Sequence, residues 1–95
     1  MSYIEDLKEA IRHTHGCEAD HVETVPVTEM FQGEVAWDGE VEVFDLHDHR
    51  LAKRCYAWGY DTENGKRFLA VLELPPVTSP KTAVMAAIRS DAGNE

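Results

Sequence analysis

The sequence predicts an α+β fold: an N-terminal helix, an antiparallel meander of three to four strands, and a C-terminal helix, with both helices on one face of the sheet. Three observations predict it. A capped stretch with apolar residues at helical spacing opens the chain. Strand-length segments separated by Asp-Gly and Asn-Gly turns fill residues 33–74. A Ser-Pro start followed by an alanine-rich stripe closes it. At 95 residues the chain is expected to be one domain, 1–95, with a small core.

The first helix is predicted over 3–15. Ser2 and Glu5 form a capping box, and Ile4, Leu7 and Ile11 recur on one face. Arg12 and His13 suit the negative end of the helix dipole, and Gly16 is a natural stop. Residues 22–30 carry Val22, Val25 and Val27, but Pro26 confines them to an edge strand or an irregular lead-in.

Strands are then expected at about 33–37 and 40–46, joined at Asp38-Gly39. A three-residue loop, Trp37-Asp38-Gly39, is preferred over a two-residue turn. It sets Val35 opposite Val41 and gathers Glu34, Glu40 and Glu42 on the solvent side. It also leaves Trp37 in an exposed loop.

The third strand, about 53–60, is the most two-faced segment. Arg54, Tyr56, Trp58 and Tyr60 point one way; Cys55, Ala57 and Gly59 point the other. The fourth, about 66–74, is apolar on both faces and is expected to be interior or covered on both sides. Two turns could join them. A two-residue loop at Asn64-Gly65 puts Trp58 opposite Val71. A three-residue loop from Glu63 puts Trp58 opposite Ala70. Pro75 and Pro76 end this strand, because proline cannot donate to a ladder. The last helix is predicted over 80–91, with Ser79 as N-cap and Pro80 at the first helical position, and 93–95 as a loose tail.

This element order resembles the double-stranded-RNA-binding domain. The run Ser79-Pro80-Lys81-Thr82-Ala83, followed by Ala86-Ala87, is similar to the lysine-bearing second helix of that family. The resemblance implies the order of elements. Of the family's lysines only Lys81 is present, with Pro80 and Val84 where bases would be expected, so RNA binding is not implied.

The composition narrows the function classes. The net charge of −9 is uneven: thirteen acids and two bases lie in residues 1–48, five acids and seven bases in the remainder. An acidic chain repels phosphate backbones, which argues against nucleic-acid binding; a divergent nucleic-acid binder is an alternative reading only. No stretch is long and apolar enough to span a bilayer, and residues 1–6 do not form a secretory leader. Two cysteines, 38 positions apart, are read as reduced thiols in a cytoplasmic protein.

The types in His13-Thr14-His15-Gly16-Cys17-Glu18-Ala19-Asp20-His21 suit zinc or nickel, with His13, Cys17 and His21 as candidate ligands. Their spacing matches no established site, and a helix stop with Cys17 packing back towards Ile11 accounts for them. His47-Asp48-His49 is read as a polar turn, and Cys55 as a core residue. No nucleophile, phosphate-loop or zinc-protease motif occurs, and no cofactor is expected. The preferred reading is a non-catalytic protein-interaction or self-associating module, a possible homodimer, with Trp37, Tyr56, Trp58 and Tyr60 as interface candidates. A metal- or small-ligand-binding protein is the alternative.

Overall fold

The computed structural model describes residues 2–93. It is an α+β fold, in the order α1 (Tyr3–His15), β1 (Ala19–Phe31), β2 (Glu34–Leu46), β3 (Arg54–Thr62), β4 (Gly65–Leu72) and α2 (Pro80–Gly93). The four strands form one antiparallel sheet in sequence order. Helix α2 runs to Gly93; the other two residues of the expected tail lie outside the described residues.

Both helices begin where their caps place them. The Ser2 hydroxyl accepts from the Glu5 N–H at 3.1 Å, and Gly16 ends α1 at φ 71°, its N–H donating to the Arg12 carbonyl. At α2 the Ser79 hydroxyl accepts from the Thr82 N–H, while the Thr82 hydroxyl oxygen accepts from the Ser79 N–H. This is a capping box with threonine in the usual Glu/Gln position.

The first two strands differ from expectation. Asp38-Gly39 is not a turn. Strand β2 runs straight through it, with Asp38 paired to Thr28 and Gly39 to Val27. The chain reverses one strand earlier, at Gln32 (φ 54°) and Gly33 (φ 82°). Two consecutive positive-φ residues are what a two-residue hairpin matched to strand twist requires. Moving the turn converts residues 22–30 into a full edge strand, β1, on which Val25 and Val27 share a face with Val41 and Val43. Trp37 therefore lies within a strand, its ring over Gly39, where an added Cβ would sit 3.2 Å from the indole.

The second difference is the placement of the helices. They were expected on one face and take opposite faces. Leu7 and Ile11 of α1 pack on Ala19, Phe44, Cys55 and Ala57. Ala83 and Val84 of α2 pack on Val27, Val41, Val43, Tyr56 and Trp58. Alternation along β3 makes the reason plain. Its small residues admit α1 closely, while its aromatics need the alanine-rich α2 and the valines of β1 and β2. Strand β4 is at the edge yet covered on both sides, by Phe68 and Ala70 under α1 and Leu69 and Val71 under α2.

The third difference is register. Trp58 pairs with Leu69, Gly59 with Phe68 and Tyr60 with Arg67, so the reversal is at Glu63-Asn64 and neither expected loop forms. The Thr62 hydroxyl organises the turn, accepting from the Asn64 N–H and donating to the Gly65 carbonyl. Gly65 takes φ 113°, out of reach of most side chains.

Candidate functional site

The sheet is not evenly zipped. Strand β2 pairs with β1 over nearly its whole length, but with β3 only from Glu42↔Ala57 to Asp45↔Arg54. The first half of β2 therefore peels away from β3, and the β1–β2 ribbon continues alone to its tip, where Met30 and Val35 are exposed.

Each face meets this split differently. On the α1 side the Tyr3 hydroxyl accepts from the Gly59 N–H at 2.7 Å. That donor belongs to the edge of β3 that β2 has left, and an unmet buried N–H would be costly. Partial burial, first among the causes, raises the Tyr3 pKa; the Gly59 bond lowers it, and Glu42 and Glu40 raise it again.

On the α2 side the split leaves an apolar cleft of about 170 Å³, lined by Trp37, Trp58, Tyr60, Leu69, Val84, Ala87 and Ile88. The two indoles meet edge to face across it, ring centroids 5.6 Å apart. Trp58 is 2% exposed and forms the floor; Tyr60 is 39% exposed and forms the mouth.

The four aromatic candidates thus have different roles. Tyr56 and Trp58 are both buried beneath α2 of their own chain; Tyr56 is enclosed there, while Trp58 turns its ring into the cleft as its floor. The Tyr56 hydroxyl donates to the Glu73 carboxylate, and burial, then that bond and charge, raise its pKa above the ordinary tyrosine range. Trp37 and Tyr60 remain at the surface of the cleft. Sequence reasoning missed Tyr3, and also Val84 and Ile88 as cleft walls. The Gln32-Gly33 pair was the available signal for Trp37, since a turn there places Trp37 inside β2; a register shift between Glu29 and Met30 then sets it opposite Glu29.

The three candidate metal ligands do not converge. His13 is exposed on the last turn of α1; Cys17 packs back on the Leu7–Ile11 cluster. His21 lies on β1, its Nε2–H donating to Glu42 at 2.7 Å. Among the described residues no group of three such side chains is placed to hold an ion. Glu42 is buried, and its other partner is the Thr24 hydroxyl, which donates to the same oxygen. A second hollow, of about 400 Å³, lies between the end of α1 and the loop after β2, with His15, Cys17 and His49 on its wall. Its histidines are committed: His15 Nε2–H donates to the Ala70 carbonyl, and His49 Nδ1 accepts from the Leu51 and Ala52 N–H groups.

In comparisons with known proteins, no family model matches this chain, and no curated protein or solved structure matches it.

Proposed function

We propose that this chain is a non-catalytic protein-interaction module that binds through the cleft between Trp37, Tyr60 and α2. The observation that carries the reading is the unfilled apolar space of about 170 Å³ bounded by two indoles, a phenol and aliphatic side chains. None of its seven lining residues is a carboxylate, imidazole, thiol or amine, so the lining suits an apolar anchor better than a reaction. Exposed Glu34, Asp38 and Glu40 on the same ribbon oppose a second copy of this acidic chain, which favours a different partner over a homodimer.

Titration with indole, followed by amide shifts, tests the reading. Saturable binding on the order of millimolar is expected for a fragment of this size. It should be lost in Ile88→Glu, with the far-UV circular dichroism of the variant unchanged. Absence of binding to the intact chain would overturn the proposal.

A further inference from the structure

The same split exposes hydrogen-bonding backbone. The Leu46 N–H donates to the Lys53 carbonyl on the β3 side at 2.8 Å, and the His47 N–H donates to Glu18 on the β1 side at 2.9 Å. Even positions of β2 therefore turn their backbone groups towards β3, and odd positions towards β1. Pairing with β3 stops at Glu42. Asp38 and Glu40 thus direct N–H and C=O groups into the split, with no ladder partner among the described residues. Tyr3 answers the corresponding need on β3, at Gly59.

The two outer edges are less available. Opposite Glu40, Pro26 turns outward on β1 and offers no donor. On β4 the Ala70 carbonyl already accepts from His15.

We infer that an extended, cation-bearing segment of a partner polypeptide adds as a strand to β2 at Asp38–Glu40 and seats one apolar side chain in the aromatic cleft. The inference rests on the cleft being an interaction site, and supplies its partner class. Strand addition needs two things at once: an open backbone edge and an adjacent pocket for an alternate side chain. Both occur here, because Trp37 and Gly39 flank Asp38 on the face that carries the cleft. Charge selects the partner. Residues 34–40 carry Glu34, Asp38 and Glu40, all exposed, and no base, and Asp61 and Glu63 are exposed beyond the split on β3 and its turn. Lysine or arginine on the incoming strand is attracted to this rim, and a second copy of the chain is repelled.

Residue-resolved amide exchange on the intact chain tests this, with the synthetic peptide Lys-Val-Lys-Trp-Lys-Val-Lys as probe. In the free protein the Asp38 and Glu40 amides should exchange far faster than those of Val41 and Val43, which face β1. The peptide should slow Asp38 and Glu40 by about tenfold or more, an effect weakened by salt. Its glutamate counterpart and a version N-methylated on alternate residues should not. Asp38 and Glu40 amides as slow as Val41 in the free protein would overturn the inference, since the edge would be closed. So would peptide binding that shifts cleft resonances without protecting these amides, although the cleft reading would survive. Protection that rises with protein concentration alone would assign the edge to a second copy, and would also overturn it.

Discussion

Cys55 shows how a single side chain reports its surroundings. It is fully buried among Leu7, Phe44 and Ala57, and burial, helped slightly by Cys17, pushes its thiol up to about 12 from an ordinary value of 9.0. The unfolded thiol ionises near 9.0 while the folded one stays protonated. Its contribution to stability is thus complete below pH 9 and is lost as the pH rises towards 12, at up to about 1.4 kcal/mol per pH unit. Tyr56, also raised, adds loss in the same direction above its ordinary value of 10.0. Denaturant melts between pH 9 and 11 should show a shallower fall for Cys55→Ala than for the parent. Gly59 is closely covered by α1 and β4, since a Cβ there would meet Tyr3 at 3.0 Å and Phe68 at 3.1 Å. Gly59→Ala should cost about 1–3 kcal/mol. Tyr3→Phe should cost a similar amount by stranding the Gly59 N–H. The core role of Cys55 was readable from its place among small residues on β3. The role of Tyr3 was not, because the donor it satisfies exists only where β2 leaves β3.

Among the elements, the helices were legible; the second hairpin was legible apart from its register, and the first was not. Helices carry local signals, a cap and a stop, and Ser2, Gly16, Ser79 and Pro80 sit where those signals put them. A hairpin is a choice between competing turns, and Asp38-Gly39 is the stronger dipeptide. It lost to Gln32-Gly33 because a turn at 38 would strand Val25 and Val27, whereas a turn at 32, followed by a one-residue register shift between Glu29 and Met30, buries them against Val41 and Val43. Gln32 is a poor residue for φ 54°, and asparagine visits that region more readily. Gln32→Asn should therefore raise stability by a few tenths of a kcal/mol. Gly33→Ala should lower it by about 1 kcal/mol or more. Paired thermal melts measure both.

For the whole molecule, the order of elements was legible, while the expectation that both helices share one face was not met. Either face of β3 could accept a helix. The outcome depended on Trp37 and the valines of the ribbon, which complete a wall for α2 only after the first hairpin is placed. The cleft was legible as an aromatic row but not as a cavity, since it exists because two strands diverge. Charge is a molecular property readable without any fold. With nine excess negative charges the compact state repels itself, and screening relieves this. The melting temperature should rise by a few degrees from low to about 0.15 M sodium chloride. Added zinc should leave it unchanged, because His13, Cys17 and His21 are dispersed.

The Trp37–Trp58 contact has an optical consequence. Two indoles held 5.6 Å apart at an interplanar angle of 62° form a chiral pair of coupled transition dipoles. One ring rides on the ribbon and the other on the β3–β4 hairpin. Their exciton couplet in circular dichroism is thus an intrinsic goniometer for the opening of the sheet. It should collapse in Trp37→Ala, and change in amplitude whenever the ribbon swings relative to the hairpin, with no label attached.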